Sequence, residues 1–185
     1  VRELPVKRNV EIKAAVGDLA AIQEKAARLA DQGPIVLEQE DIFFHSPRGR
    51  LKLRRFAGDG RGELIAYERP DAAGPKESRY VVHATCDPDG LQNALSIVLG
   101  IRGVVRKRRT LYIIGRTRVH LDRVQDLGDF VELEVVLSDE QDVGDGFTTA
   151  RRLMAELGIA EDQLIDKAYI DLLQDSCARG GSQEL

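Results

Sequence analysis

Cysteine is scarce in this 185-residue chain: Cys86 and Cys177 stand far apart and lack metal-ligand spacing. Neither a disulfide framework nor a thiolate metal site is expected, and both thiols read as inert. Long apolar runs are missing too. None approaches the roughly 18 residues of a membrane span, and no basic stretch leads into a signal-type apolar core. A cytoplasmic protein without membrane contacts is the expectation. Positive net charge is also absent, since the formal charge is −4, which argues against the broad basic field of a nucleic-acid binder. What the chain does have is charge itself: 31% of residues are Asp, Glu, Lys or Arg, beside an ordinary 43% hydrophobic content. Many of these charges sit inside segments that otherwise read as strands.

Alternating apolar and polar residues predict strands at 10–16, 38–45, 51–56, 63–69, 78–84, 104–114, 116–123 and 130–137. Turn chemistry separates them, including Pro47-Arg48-Gly49, Gly58-Asp59-Gly60 and Gly115. Helices are predicted at 19–31, capped by Asp18, and at 91–99, capped by Asp87 or Asp89. Two more are predicted at 147–157 and 163–173. Eight largely neighbouring antiparallel strands with helices between pairs define an α+β fold with a strongly curved or closed sheet. One domain over 1–175 is expected, with 176–185 as a disordered tail.

Residues two apart on a strand share a face. Glu11 pairs in this way with Lys13, Lys52 with Arg54, Lys107 with Arg109, and Glu132 with Glu134. Arg118, His120 and Asp122 form a triple. The opposite faces carry Val10 and Ile12, Leu51 and Leu53, Val119 and Leu121, and Val131, Leu133 and Val135. Two arrangements satisfy this pattern. The ionic face can meet water while the apolar face packs on helices, or the sheet can close with its apolar face outward and its ionic face lining a tunnel. Segregation of charge favours the second, because the cations Lys13, Lys52, Arg54, Lys107 and Arg109 concentrate apart from the carboxylates of the first and last strands. Two unit charges 4 Å apart interact by roughly 4 kcal/mol at an effective dielectric near 20, so five inward cations would need a polyanion. A triphosphate, with roughly four negative charges, suits Arg forks and Lys point charges. The carboxylates suit a hard cation such as Mg²⁺ or Mn²⁺.

These residues are similar to those of the CYTH family, the triphosphate tunnel enzymes that include class IV adenylyl cyclases, thiamine triphosphatases and tripolyphosphatases. Asn9-Val10-Glu11-Ile12-Lys13 resembles the family's Glu-x-Glu-x-Lys signature. Leu51-Lys52-Leu53-Arg54, Arg106-Lys107-Arg108-Arg109, Val119-His120-Leu121-Asp122, Leu127–Glu134 and Lys167-Ala168-Tyr169 follow in the family's order. The resemblance implies an eight-stranded antiparallel tunnel with helices outside. It also implies Glu11, Glu132, Glu134 and Asp122 as metal ligands, with Lys13 and Asp122 serving catalysis. Lys52, Arg54, Lys107 and Arg109 would hold phosphates, with Arg79 and Arg118 as further cradle residues.

Two departures stand out. Asn9 replaces the first Glu of the signature, and near Tyr67-Glu68-Arg69-Pro70 either Glu68 or Arg69 can face inward. The implied activity is conversion of ATP to cyclic AMP and pyrophosphate. The alternatives are hydrolysis of a triphosphate or binding with little turnover, by a monomer or homodimer. Among the remaining residues, Tyr112 and Tyr169 read as packing residues, Asp171 as a solvated helix charge, and His120 as either a tunnel residue or a hydrogen-bonded strand histidine.

Overall fold

The computed structural model describes residues 6–58 and 60–180. Eight strands form it: β1 (Lys7–Ala15), β2 (Gln32–Phe44), β3 (Arg50–Phe56), β4 (Gly62–Glu68), β5 (Lys76–Thr85), β6 (Ile101–Ile114), β7 (Thr117–Val124) and β8 (Gly128–Leu137). They close into a barrel in the order β1-β5-β4-β3-β2-β6-β7-β8. Every pairing is antiparallel, including the long-range pairing of β1 with β8 that seals the ring. Closure removes the exposed edges that an open sheet of this size would present.

The helices lie outside. Helices α1 (Leu19–Leu29) and α3 (Val143–Leu157) cover the outward faces of β1, β7 and β8. There Val10, Ile12, Val119, Leu121, Val131 and Leu133 pack under Leu19, Ile22, Leu153 and Leu157. Full burial of each such side chain contributes roughly 1.5–3 kcal/mol, which makes this wall a firm frame for whatever its inner face carries. Helix α2 (Pro88–Leu99) packs Leu91, Leu95 and Leu99 over Ile42, Phe44 and Leu53. At one end of the barrel Phe43, Val105, Val124 and Phe130 cluster with Ala168, Tyr169 and Ile170 at the start of α4 (Tyr169–Gly180). The segment leading there is tied to β1 by the Ala14–Leu164 bridge and by the Ile165 amide donating to Lys13.

Boundaries differ from the sequence pattern where pairing or capping overrides it. β2 begins at Gln32, because a register shift between Gln32 and Ile35 carries its pairing with β6 past Pro34, which lacks a donor. α3 starts at Val143, where Asp142 accepts from the Gly144 amide, so the glycines at 144 and 146 lie inside the helix. The expected helix at 163–173 is instead a 3-10 turn (Glu161–Gln163), an extended stretch and then α4. α4 makes 176–180 helical where a disordered tail was expected; 181–185 lie outside the described residues. No helix among the described residues is long and apolar enough to cross a membrane.

Candidate functional site: an ionic tunnel with two walls

Because the apolar faces of β1, β7 and β8 lie under helices, alternation turns their charged residues inward. The inner face is not solvated: Lys13, Asp41, Lys107, Arg109 and Asp122 are each 6% exposed or less. That burial excludes the water-facing arrangement. The cavity has a volume of about 290 Å³, and eight Lys and Arg against five Asp and Glu line it among the described residues. A larger groove of about 660 Å³ is lined by outward-facing Arg55, Arg106, Arg108 and Arg123. It is a poor anion site, since Glu40 sits 2.7 Å from Arg106, Glu38 3.6 Å from Arg108 and Asp129 3.9 Å from Arg123.

The tunnel has a basic wall and an acidic wall. On β2, β3 and β6, Asp41 accepts from Lys52 (2.9 Å) and from Arg54 through two bonds (2.7 and 2.9 Å). Lys107 lies 3.6 Å from Asp41 and 3.7 Å from Asp122. Asp122 in turn accepts two bonds from Arg109 (2.7 and 2.6 Å) and one from the Tyr169 hydroxyl (3.0 Å). Two buried aspartates thus each clamp one guanidinium, with Lys107 between them. Burial pushes the Asp41 carboxyl up, yet Arg54, Lys52 and Lys107 hold it well below the ordinary carboxylate range. Lys52 is pushed down to about 7 by burial and then by Arg54.

The acidic wall comprises β1 and β8 with β7 beside them. Glu11 stands opposite Glu134 and Lys13 opposite Glu132. Glu132 accepts from Arg109 (2.5 Å) and pairs with Lys13 (2.9 Å), while Glu134 accepts from Arg118 at the rim (3.0 Å). Burial raises the Glu11 carboxyl above its usual range, with Arg69 only partly opposing it. A divalent cation fits this wall on direct structural grounds. Glu11, Glu132 and Glu134 line it together with Asn9, whose buried Oδ1 has no hydrogen-bond partner, and His120, behind Glu132 and Glu134, has a buried Nδ1 that is likewise unpartnered. Hard oxygen ligands of this kind suit Mg²⁺ or Mn²⁺.

Nine of the residues singled out from the sequence line one cavity: Glu11, Lys13, Lys52, Arg54, Lys107, Arg109, Arg118, Glu132 and Glu134. Asp122 lies beneath it, fully buried and bonded to Arg109 and Tyr169 rather than open to the space. Arg79 is a correction. It is exposed and pairs in register with outward-facing Arg8, while its neighbours Ser78 and Tyr80 line the tunnel. The Glu68 and Arg69 alternative resolves to Arg69, whose Nε lies 3.2 Å from Glu11, with Glu68 exposed. Tyr112 is a packing residue, 2% exposed in the outer core. Tyr169 is more than that: its ring lies 3.8 Å from the Lys13 ammonium and 5.1 Å from that of Lys107. Asp171 is not simply solvated, because it accepts from Arg102 (2.5 Å), Arg50 (3.1 Å) and the Ala168 amide. Asp41 escaped sequence reasoning altogether. Glu38-Gln39-Glu40-Asp41 is an unbroken polar run with no alternation to mark its inner face.

Arg69→Ala, which removes the ion pair holding Glu11, is expected to lower metal-dependent turnover by about tenfold or more. Arg79→Ala is expected to change it by less than about twofold, as for other surface substitutions. Steady-state kinetics on the two variants side by side checks both.

The structure is a closed antiparallel barrel whose interior opposes a cationic wall to a carboxylate wall. The CYTH domain family model matches residues 7–169, and the chain belongs to that family. It is 28% identical to the adenylate cyclase CyaB of Aeromonas hydrophila, over 91% of this chain and 90% of that protein. The structure of the PH1012 protein from Pyrococcus horikoshii superposes with a TM-score of 0.79 at 28% identity, covering 89% of this chain and 98% of that one. A Hippeastrum protein, considered an adenylyl cyclase and described as having a dominant triphosphatase activity, shares the fold. It does so at TM-score 0.61 and 15% identity, covering 91% of this chain and 96% of that one.

Proposed function

We propose that this chain is a metal-dependent triphosphate-processing enzyme, and that its reaction is of the adenylyl cyclase type, converting ATP to cyclic AMP and pyrophosphate. The observation that carries the triphosphate reading is the convergence of Lys13, Lys52, Arg54, Lys107 and Arg109 on one buried cavity, each at 2–13% side-chain exposure. Likeness to the Aeromonas cyclase supports the cyclase assignment.

In this reading Lys52, Arg54, Lys107 and Arg109 bind the phosphate chain, with Arg118 at the entrance. Asp41 and Asp122 hold the basic side chains at fixed positions before substrate arrives, so little reorganisation is needed as charge develops on the leaving phosphates. Lys13, fixed between Glu132 and the Tyr169 ring, places positive charge where the two walls meet. Glu11, Glu132 and Glu134 would hold Mg²⁺ or Mn²⁺, which when bound supplies Lewis acidity to a phosphoryl oxygen and lowers the pKa of an attacking hydroxyl or water.

Hydrolysis of a triphosphate is the second reading. The favouring observation is that the described cavity is small and that its polar lining is overwhelmingly ionic, matched to phosphates more than to a base. The Hippeastrum relative is of that kind. Incubating the purified protein with ATP and Mn²⁺ and resolving the products by chromatography separates the two. Cyclic AMP with pyrophosphate supports the cyclase; orthophosphate without cyclic AMP overturns it.

The depressed Lys52 carries a pH consequence. Facing Asp41, Arg54, Lys107 and the Tyr67 ring, its ammonium, pushed down to about 7 by burial and Arg54, is expected to lose its proton at a lower pH than an ordinary lysine. A bound triphosphate raises that pKa again. Binding near pH ~8 should therefore take up close to one proton, and affinity should fall between about pH 6 and about pH 9. Calorimetry in buffers of different ionisation enthalpy measures the uptake, which Lys52→Met is expected to reduce, with Lys107, also lowered by burial, contributing the remainder.

A further inference from the structure

Behind the acidic wall stands a histidine to which neither phosphate binding nor the carboxylate metal site assigns a role. His120 on β7 stands in register opposite Glu132, is 4% exposed, and its Nδ1 has no hydrogen-bond partner. That nitrogen lies 3.7 Å from Glu134 Oε1 and 3.9 Å from Glu132 Oε2. One ligand atom from each of the three residues falls within 4.8 Å of the other two. The separations are too long for hydrogen bonds. They match ligand atoms around a shared ion, which stand roughly 3–4 Å apart when each bond is about 2.1 Å. Glu132 Oε2 also accepts from Arg109, and a carboxylate oxygen has a second lone pair to give. Glu134 Oε1 faces His120 while the other oxygen of Glu134 accepts from Arg118. A buried imidazole nitrogen left without a donor or acceptor forfeits a hydrogen bond. Coordination would supply the missing partner.

We infer that His120 is a nitrogen ligand of the divalent cation held by Glu132 and Glu134, and that it biases this site toward a first-row transition ion such as Mn²⁺ over Mg²⁺. The chemical basis is ligand type. Carboxylate and water oxygens serve Mg²⁺ and Mn²⁺ alike; imidazole adds little for hard Mg²⁺ but is accepted by first-row transition ions, Mn²⁺ the weakest of them. Asn9 Oδ1, also buried and unpartnered on β1, leaves room on the same wall for a further oxygen. Asn9 is an uncharged amide, so the wall has less charge with which to hold Mg²⁺ than a further carboxylate would supply, and the nitrogen ligand matters more.

The inference rests on the metal-dependent reading above, but its test does not rely on turnover. Pulsed electron paramagnetic resonance on Mn²⁺-loaded wild-type protein, grown with ordinary or ¹⁵N-labelled histidine, reports directly bound imidazole without any substitution. Modulation that changes with the isotope, and that His120→Gln removes, is the expected result. Calorimetric titration of the same variant should show Mn²⁺ affinity reduced by about tenfold or more and Mg²⁺ affinity by less than about threefold. Mn²⁺ bound without nitrogen coupling, an unchanged Mn²⁺ to Mg²⁺ preference in the variant, or no Mn²⁺ binding at all would each overturn the assignment. Tripolyphosphate binding measured in the presence of a chelator tests the basic wall separately, so failure of the histidine ligand and failure of the tunnel reading are distinguishable.

Discussion

Arg109→Ala should lower kcat for triphosphate turnover by about 10³-fold or more, among the largest effects of any single substitution in the tunnel. This guanidinium is 3% exposed and joins the two walls: it donates twice to Asp122 and once to Glu132. Its loss removes a proposed phosphate donor, leaves Glu132 with Lys13 alone as its close ion-pair partner, and leaves Asp122 buried against only Lys107 at 3.7 Å and the Tyr169 hydroxyl. Arg109→Lys restores charge but not the fork, so its recovery should be partial, within about tenfold of the Ala variant. Kinetics with ATP and with tripolyphosphate, alongside thermal melts to confirm folding, would check this. A loss smaller than about tenfold would mean that the phosphates do not contact this residue.

Asp41→Asn should destabilise the ligand-free protein by about 3–5 kcal/mol, the usual consequence of removing one partner from a buried ionic cluster. At 2% exposure Asp41 sits against Lys52, Arg54 and Lys107. An amide leaves Arg54 and Lys107 repelling one another in a low-dielectric space and pushes Lys52 further toward its neutral form. For a chain of this size the loss corresponds to a drop in Tm on the order of 10 °C. A polyanion should reverse part of it, so tripolyphosphate should raise the variant's Tm by more than it raises the wild type's. Denaturant unfolding with and without tripolyphosphate measures both quantities. A change under about 1 kcal/mol, or equal ligand shifts, would show that Asp41 does not stand in for a bound anion.

The clean alternation of β1, β7 and β8 made the barrel's stable side legible in the sequence. One face reads Val10, Ile12, Val119, Leu121, Val131 and Leu133, and the other carries nearly all the acidic wall. Lys107 and Arg109 could be separated from Arg106 and Arg108 on the same ground, and the latter pair does face Glu40 and Glu38 outside. Legibility failed where a strand is polar on both faces. In 76–79 every residue is polar, so parity depends on pairing with β1, and no local pattern checks the cradle role that the resemblance implies for Arg79, which the pairing turns outward. Asp41 was hidden by the polar run before it. Tyr169 was hidden for another reason: it reaches the tunnel because α4 begins at the barrel's end, a long-range arrangement that no local pattern records. Closure of β1 on β8 is likewise non-local: segregated charge favours a closed sheet and the family resemblance implies a tunnel, but periodicity does not name the strands that seal it.

The same physical pattern accounts for how the site and the fold support each other. The helices bury the apolar outer faces of β1, β7 and β8, which forces the ionic residues of those strands inward. Inside, the desolvated charges are kept tolerable by Asp41 and Asp122 until an anion arrives. In the proposed function, specificity for a phosphate chain would follow from the excess of cations on one wall, with carboxylates on the other to hold its counter-ion.

Calorimetric titration of the full chain with tripolyphosphate, pyrophosphate and orthophosphate, repeated on Lys107→Ala, tests that claim most directly. The expected result is one tripolyphosphate per chain, bound more tightly than pyrophosphate and far more tightly than orthophosphate, with affinity reduced by about 10²-fold in the variant. Absence of saturable binding, or binding that Lys107→Ala leaves unchanged, would contradict an interior built to receive a triphosphate.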